Sequence, residues 1–417
     1  MKNIFKSTIK IVTLLLAVCA IFILPACNND YPDAYKPTKG KPTVDYIRLP
    51  DVNKSDSLLT HAFMGTTIAL MGQNLTSIKE VWFNDQKAVL NTSLITSTTL
   101  IVTVKTVIPK TVTNKMYLVT TSSDTISIPF TVDVPAPVVS SMKCEMVSVG
   151  ETAVINGDFF LDDPNIPLQV IFPGNIPATK IISIAKTQIQ VEVPAGATIP
   201  GQINVKSLYG NGRSSFWFLD NRGIILNYDN LTTAGSWRGG TIKNDANSLD
   251  KNYLMLKGTL GDNVGSEDFT GGGFVSELWG DANGRPNANF LPGPKEDYLF
   301  KFEARVITWT GAYLNICWGP WASSVSPYQN QLYWSNMNAR GLWRPWETNG
   351  TGEFKTDGWI TVTIPMADMK YDKDFKTFEF DPSKTGSLTF WMKGPSATAG
   401  ANSDIEIYID NVRIVPQ

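Results

Sequence analysis

Short alternating runs of apolar and polar residues dominate the first half of the chain. Runs such as Thr67–Leu70, Leu100–Val104 and Tyr117–Thr120 are rich in β-branched residues and are bounded by turn formers. A two-residue period of this kind is typical of strands that bury one face. No stretch within Val44–Phe218 has the 3.6-residue apolar period of a helix. The pattern therefore predicts an all-β region.

The same region contains an internal repeat. The first copy begins with Gly65–Leu75 and the second with Gly150–Phe160, and each is followed by an apolar strand pattern. Both copies resemble the IPT/TIG immunoglobulin-like fold, whose G-x-x-I-x-G-x-N-L turn is nearly intact in the first copy. This resemblance implies two seven-stranded sandwiches, at 43–135 and 136–220.

The pattern changes at about Asn221, where aromatic residues become dense and the predicted strands lengthen. Long alternating runs are found at Tyr298–Val306, Ala312–Trp318, Trp359–Pro365 and Ile405–Ile414. These runs predict a jelly-roll β-sandwich over 221–417. The predicted fold class is thus all-β, with two immunoglobulin-like (IPT/TIG) sandwiches followed by a C-terminal jelly-roll β-sandwich.

The first residues have the features of a processing signal. Three lysines precede the apolar run Ile11–Leu24, which is too short for a comfortable membrane span. The run ends in Leu24-Pro25-Ala26-Cys27, which resembles the bacterial lipobox. This resemblance implies a signal peptide at 1–26 and a diacylated Cys27. A polar tether at 27–42 would then hold the folded domains away from the membrane.

The charge and the cysteine content of the chain exclude some classes of function. Without residues 1–26 the chain has 33 basic and 38 acidic residues, and nothing in it looks like a nucleic-acid-binding patch. Cys144 and Cys317 fall in different predicted domains, so a disulfide framework is not expected. No cofactor or metal is predicted, because the C-terminal domain has no histidine and no acidic spacing demands calcium.

Tryptophan is concentrated in the C-terminal domain, which has ten of the twelve. A sandwich core needs few indoles, and exposed indole faces are suited to stacking on sugar rings. Trp309 lies at a predicted turn, while Trp343 and Trp346 flank the rigid Arg344-Pro345 pair. Trp359 and Trp391 fall within strand patterns and are predicted to be core residues. The candidate glycan-binding residues are Trp309, Trp318, Trp334, Trp343, Arg344 and Trp346, with Asn315, Gln331, Arg340 and Glu347 as further hydrogen-bonding groups.

An enzyme remains an alternative. Asp404, Glu406 and Asp410 alternate on one face of the last strand, which loosely resembles the E-x-D-x-x-E strand of jelly-roll endo-β-glucanases. A terminal amphipathic strand with a solvated face explains this pattern equally well. The sequence does not locate a pair of carboxylates at hydrolytic separation, so an endo-acting glycoside hydrolase is the second hypothesis. A structural adhesin that uses the IPT/TIG modules is the third.

These features together resemble the SGBP-B type surface glycan-binding lipoproteins of Bacteroidota, found beside starch-utilisation-like outer-membrane transporters. The resemblance rests on the lipobox, the tandem IPT/TIG modules, Lys301-Phe302-Glu303 leading to Trp309, Trp343-Arg344-Pro345-Trp346, and Asp357–Pro365. It implies a lipid-anchored protein on the surface of the outer membrane. Its partners would be a transporter, companion glycan-binding lipoproteins and a neutral polysaccharide.

The same resemblance implies a function and a site. The function is non-catalytic capture of a β-linked glucan, xyloglucan or mannan by an aromatic platform in the C-terminal domain. The implied platform contains Trp309 and Trp343, with Trp346 close by. The residue before the second platform tryptophan, frequently aromatic in the family, is Leu342 here.

Overall fold

The chain folds into two compact units that divide after Pro135. The computed structural model describes residues 35–163, 166–231, 234, 239–260, 269–270, 273–278, 287–321, 336–349, 352–393 and 403–417. Strands dominate both units, as predicted. In the described residues, no helix has the length and apolar character needed to cross a bilayer.

The first unit is a two-layer sandwich. Its strands are β1 (Thr43–Arg48), β2 (His61–Phe63), β3 (Thr67–Gln73), β4 (Ile78–Phe83), β5 (Gln86–Lys87), β6 (Thr99–Thr103), β7 (Lys115–Thr120), β8 (Thr125–Pro129) and β9 (Thr131–Asp133), with short 3-10 turns at Val52–Lys54, Leu75–Ser77 and Thr92–Leu94. One sheet has the order β1-β3-β6 and the other β5-β4-β7-β8, while β2 and β9 form a parallel pair. Alternate residues of the two sheets meet in one apolar core that includes Leu70, Phe83 and Leu118.

The second unit begins with a module built on the same plan. Its strands are β10 (Val138–Met142), β11 (Thr152–Asp158), β12 (Gln169–Phe172), β13 (Ile176–Pro177), β14 (Ile181–Ala185), β15 (Gln188–Glu192), β16 (Asn204–Ser207) and β17 (Gly210–Arg213). The sheet orders are β10-β11-β15-β14 and β13-β12-β16-β17. Apart from β14, each strand occupies the position of its counterpart in the first unit, so the sequence repeat is also a structural repeat.

Two glycines explain part of that repeat. A Cβ atom on Gly72 would lie 1.9 Å from the carbonyl oxygen of Thr43, and one on Gly157 would lie 1.9 Å from that of Val138. Both distances are far below van der Waals contact, so only glycine lets the first strand of each module approach its neighbour. In both modules that first strand has a register irregularity close to the contact. The repeated glycine therefore reflects backbone proximity.

The rest of the second unit is a larger sandwich, here called the C-terminal sandwich. Its strands are β18 (Ile224–Leu226), β19 (Thr241–Lys243), β20 (Tyr253–Leu260), β21 (Phe269–Thr270), β22 (Val275–Leu278), β23 (Tyr298–Trp309), β24 (Tyr313–Gly319), β25 (Gly341–Trp343), β26 (Ile360–Pro365), β27 (Ser387–Lys393) and β28 (Ser403–Pro416). A short helix, α1, spans Trp346–Asn349, and 3-10 turns lie at Lys295–Asp297, Met366–Asp368 and Pro382–Lys384.

Two sheets enclose the core of the C-terminal sandwich. The larger sheet has the order β19-β20-β28-β23-β26, and in addition β18 pairs with β28 and β21 pairs with β20. The smaller sheet has the order β22-β27-β24-β25. The apolar residues between them include Phe300 and Phe302 from the larger sheet and Ile316 and Phe390 from the smaller. β25 forms one edge of the smaller sheet, so its side chains border both the core and the surface.

A buried charge network joins the module at 136–220 to the C-terminal sandwich. The Arg413 guanidinium lies 2.5 Å from Glu303 and 2.8 Å from Glu145, and Lys301 Nζ lies 2.6 Å from Glu145. The Thr361 hydroxyl donates to Glu303 and accepts the Glu145 backbone N–H. All four charged side chains are buried, and two cations balance two carboxylates. Burial alone disfavours these charges, but the adjacent Glu303 and Glu145 raise the pKa of Arg413, so its guanidinium stays charged.

One buried carboxyl in the same sheet makes stability depend on pH. Asp410 is fully buried, and burial, followed by the nearby charge of Asp250, raises its pKa from 3.8 to about 9. The folded state favours the protonated form of Asp410, whereas the unfolded state loses this proton near pH 4. Asp410 therefore lowers the free energy of unfolding more and more as pH rises from about 4 to about 9. We expect Asp410→Asn to raise the free energy of unfolding at pH 8 by on the order of 1–3 kcal/mol, and by less at pH 5. Urea unfolding at both pH values tests this, and an equal change at the two values would contradict it.

Candidate functional site

Trp309 is not open to solvent. Its side chain is 0% exposed and lies in the sandwich core. The β23 strand runs three residues further than predicted, to Trp309, and the indole N–H donates to the carbonyl of Ala312 at 2.6 Å. Because a local backbone acceptor satisfies the indole N–H, the ring needs no contact with water. The prediction that Trp309 presents an exposed face is therefore wrong.

Trp318 is also a core residue, with an exposure of 1%. Its ring packs edge-on against Phe300 at 5.4 Å and against Phe290 at 6.3 Å. It shares the inward face of β24 with Leu314 and Ile316, as the two-residue period requires. The expectation that Trp318 is held at the surface is wrong as well.

Trp343 and Trp346 are only partly buried. Trp343, on the edge strand β25, packs edge-on against Trp309 at 4.9 Å and against Phe302 at 5.2 Å. The Trp346 indole donates to the same Ala312 carbonyl that Trp309 uses. Both rings thus border the core and the surface, and their contact with a glycan stays a prediction.

Of the remaining predicted residues, Asn315 and Arg340 are buried, with exposures of 0% and 1%, which contradicts the expectation that they face a glycan. The others lie at the surface or outside the described residues. Arg344 is 37% exposed and pairs with Glu347 at 2.9 Å. Trp334, Gln331 and the lipidation residue Cys27 lie outside the described residues.

The smaller sheet has a second face that differs from its core side. We call this the outer face, and its members are Val275 and Glu277 on β22, Thr389, Trp391 and Lys393 on β27, Tyr313, Asn315 and Cys317 on β24, and Leu342 on β25. Val275, Cys317 and Trp391 form a small apolar cluster apart from the main core. Most of these side chains are buried, and only Leu342 and Lys393 among them are partly exposed, so a ligand would reach this face at its edge.

Hydrogen bonds organise the centre of the outer face. The Asn315 amide donates to the Trp391 carbonyl at 3.2 Å, and Arg340 donates to Asn315 Oδ1 at 3.3 Å. Lys393 Nζ lies 5.1 Å from the centre of the Trp391 ring. Trp391 is 3% exposed, so the prediction that it is buried is confirmed. It packs with Val275 and Cys317 in the small apolar cluster and is not part of the main core.

An aromatic turn lies at the β25 end of the outer face. Phe375 packs edge-on against Tyr313 at 4.7 Å, and burial raises the pKa of Tyr313 to about 12. Phe375 has a φ of +62°, which bulky residues rarely adopt. Asp372 holds this conformation, because its carboxylate accepts the backbone N–H groups of Asp374 and Lys376. Phe159 and Tyr228 have similar positive φ values, so this geometry fixes the position of the Phe375 ring but does not by itself mark a site.

Strand parity was the sequence signal for the outer face. Tyr313, Asn315 and Cys317 alternate with Leu314, Ile316 and Trp318, so the two sets must face opposite sides of the sheet. The aliphatic set identifies the core side and therefore assigns Trp318 to it. Phe375 had no such signal, since its position depends on a turn conformation.

Glu406, one of the acidic residues of the last strand, has structural partners. Burial raises the pKa of Glu406, but Lys257 at 2.8 Å and the Tyr408 hydroxyl at 2.7 Å outweigh it, and the net pKa is lowered. A carboxyl with a lowered pKa is unsuited to act as the general acid of a glycosidase. In the described residues, no cluster of three or more His, Cys, Asp or Glu side chains is placed to hold a metal ion.

Comparison with known proteins gives consistent matches. Residues 218–416 match the family model described as the surface glycan-binding protein B xyloglucan binding domain. The chain is 33% identical in sequence to the surface glycan-binding protein PbSGBP-B from Prevotella bryantii, and it aligns with the crystal structure of that protein with a TM-score of 0.68. That alignment covers 91% of this chain and 99% of the Prevotella chain.

A curated relative matches over a shorter segment. An IPT/TIG domain-containing protein of Bacteroides ovatus is 35% identical over 104 residues, which is 24% of this chain. The match spans only 20% of that relative's length. The full-length match to the Prevotella protein carries the assignment: the chain belongs to the SGBP-B family of surface glycan-binding proteins.

Proposed function

We propose that the C-terminal sandwich captures a neutral, β-linked polysaccharide at the β25 end of the outer face of its smaller sheet and does not cleave it. The observation that supports this is the group of partly exposed side chains at that end, Leu342, Arg344 and Phe375, with Phe375 packed on the buried Tyr313. The partly exposed Phe375 ring supplies a stacking surface for a pyranose unit, and Arg344, whose side chain is 37% exposed, supplies hydrogen bonds that fix its orientation.

The glycan contacts begin at the β25 end, where side chains are partly exposed. Phe375, Arg344 and Leu342 lie there, and Tyr313 lies beneath Phe375. Trp343 and Trp346 support this end from the core side and add partly exposed ring edges. Each stacked ring contributes about 1–2 kcal/mol, so a single chain binds in the micromolar range or more weakly.

The cellular setting follows from the same proposal. A lipid on Cys27 anchors the chain at the outer-membrane surface, and the domains at 43–135 and 136–220 act as spacers for the domain at 221–417. The bound polysaccharide is passed to an outer-membrane transporter with the help of companion glycan-binding lipoproteins. Several anchored copies on one polymer raise the avidity above that of a single site.

Binding without turnover is the test of this proposal. We expect the purified chain to be retarded in native gels containing xyloglucan, mixed-linkage β-glucan or galactomannan, and xyloglucan is the first choice because the matching family model names it. The same protein should release no reducing sugar from these polymers. Turnover that Glu406→Gln abolishes would support the hydrolase alternative, and absence of retardation in every polymer would contradict capture.

A further inference from the structure

A cleft of about 660 Å³ lies within the second unit, between the module at 136–220 and the C-terminal sandwich. Thr152, Gln188 and Gln190 line one wall, and Ser248, Asp357 and Trp359 line the other. This volume falls within the range of small-ligand sites in proteins. The cleft is separate from the outer face, none of whose residues lines it.

Trp359 provides a fixed aromatic surface in the cleft. Its indole N–H donates to the Asn247 carbonyl at 2.9 Å, and its ring packs edge-on against Tyr253 at 5.9 Å. The ring is nevertheless only half-buried and lines the cleft. Because its neighbours already hold the ring, a ligand that stacks on it loses little affinity to ordering. The strand pattern in the sequence predicts a core residue at this position, whereas the structure places Trp359 at the edge of the cleft.

The opposite wall presents neutral hydrogen-bonding groups. Gln188 donates to the Asn156 side chain at 3.1 Å, and Gln190 donates to Gln188 at 3.4 Å. This chain of amides leaves further lone pairs and N–H groups for a ligand, since each amide offers two donors and an acceptor. Thr152 and Ser148 add hydroxyl groups to the same wall.

Charge in the cleft is nearly balanced. Lys143 and Asp357 face each other from the two walls at 3.5 Å, and Glu151 is the remaining charged side chain of the lining. A strongly anionic or cationic ligand would therefore find little electrostatic attraction. One ring surrounded by amides and hydroxyls fits a neutral polyhydroxylated ligand best.

The two walls are held in place by the network of Glu145, Lys301, Glu303 and Arg413. Glu145 follows the lining residues Lys143 and Cys144 directly, and the Thr361 N–H donates to the Lys143 carbonyl at 2.8 Å close to Trp359. The cleft is therefore preformed and does not depend on closure around a ligand.

From this geometry we infer a second carbohydrate subsite in the cleft, which takes a short neutral oligosaccharide stacked on Trp359. The subsite goes beyond the proposed function, because it is spatially distinct from the outer face. Its single ring and few polar groups give it a dissociation constant on the order of 1 mM. On a polymer, the subsite would add to the avidity of the main site.

Fluorine NMR of the full chain labelled with 5-fluorotryptophan tests the inference, with cellotetraose and mannotetraose as probes. Trp359→Phe assigns the Trp359 resonance, and the double variant Arg344→Ala/Phe375→Ala disables the outer face. We expect at least one tetrasaccharide to shift the Trp359 signal in both the unsubstituted chain and the double variant. Gln190→Ala, a change outside the core, should weaken that response at least threefold while the thermal midpoint stays unchanged.

Two results would overturn the inference. One is a Trp359 signal that does not move at 20-fold the expected dissociation constant, on the order of 20 mM sugar. The other is a signal that moves only when the outer face is intact. Failure of the proposed function is distinguishable, because it would remove retardation by polymers without affecting a Trp359 shift in the double variant.

Discussion

Replacing Arg413 with Met is expected to lower the free energy of unfolding of the second unit by about 3–5 kcal/mol. Arg413 is the shared cation of Glu303 and Glu145, at 2.5 Å and 2.8 Å, and all three side chains are buried. Its removal leaves a carboxylate without its main partner in a site that water does not reach. That uncompensated charge, rather than the lost ion pair itself, causes most of the expected loss.

Urea unfolding followed by tryptophan fluorescence measures this loss, since eleven of the twelve tryptophans lie in the second unit. Lys384→Met is a matched control, because it removes a cation from an exposed pair with Asp381 and should leave the midpoint unchanged. Adding Glu303→Gln to Arg413→Met should recover part of the loss. An Arg413→Met chain as stable as the unsubstituted chain would contradict this account of the domain junction.

The second large effect concerns glycan affinity. Phe375→Ala and Arg344→Ala are each expected to weaken polysaccharide binding about 5- to 30-fold, which corresponds to about 1–2 kcal/mol. Phe375 is held over Tyr313 by a left-handed turn, and Arg344 is partly exposed at the same end of the outer face. Both changes remove groups of the proposed binding surface, and neither residue belongs to the main core.

Isothermal titration with xyloglucan oligosaccharides measures both affinities. Tyr298→Ala serves as the control, because Tyr298 is a partly buried aromatic residue at the start of β23 in the other sheet. Its affinity should match that of the unsubstituted chain. If Tyr298→Ala weakened binding as much as Phe375→Ala, the loss would reflect general destabilisation and the outer-face assignment would be wrong.

Much of the fold follows from local pattern. The predicted strands Tyr298–Val306, Ala312–Trp318 and Ile405–Ile414 correspond to β23, β24 and β28 within a few residues. The all-β class and the resemblance to the SGBP-B family are confirmed. The alternation of apolar and polar residues predicts these strands correctly, because each strand buries one face and its sequence therefore alternates with the same two-residue period as its backbone.

The site was harder to predict than the fold. Trp309 was expected at a turn, yet three further residues of β23 pairing carry it into the core. Strand ends depend on the neighbouring strand, here β28, which lies about a hundred residues away along the chain. The bonds that link Arg413 to Glu303 and to Glu145 span 110 and 268 residues, so no local pattern could reveal them.

Tryptophan abundance was a sound indicator of the domain but a poor guide to individual residues. One backbone carbonyl is enough to accept the hydrogen bond of an indole N–H. The Ala312 carbonyl accepts this bond from both Trp309 and Trp346. A large ring is therefore compatible with a core position even beside a turn. The parity of each strand, which separates Trp318 from Trp391, carries more information than the count.

Hydrogen exchange with and without xyloglucan tests the central claim most directly, because it reports where the polymer binds. We expect slowed amide exchange in the outer-face strands β24, β25 and β27 and in the turn at 371–377, with little change in the first unit. Protection confined to other segments, or none in these elements at saturating polysaccharide, would contradict capture at the outer face.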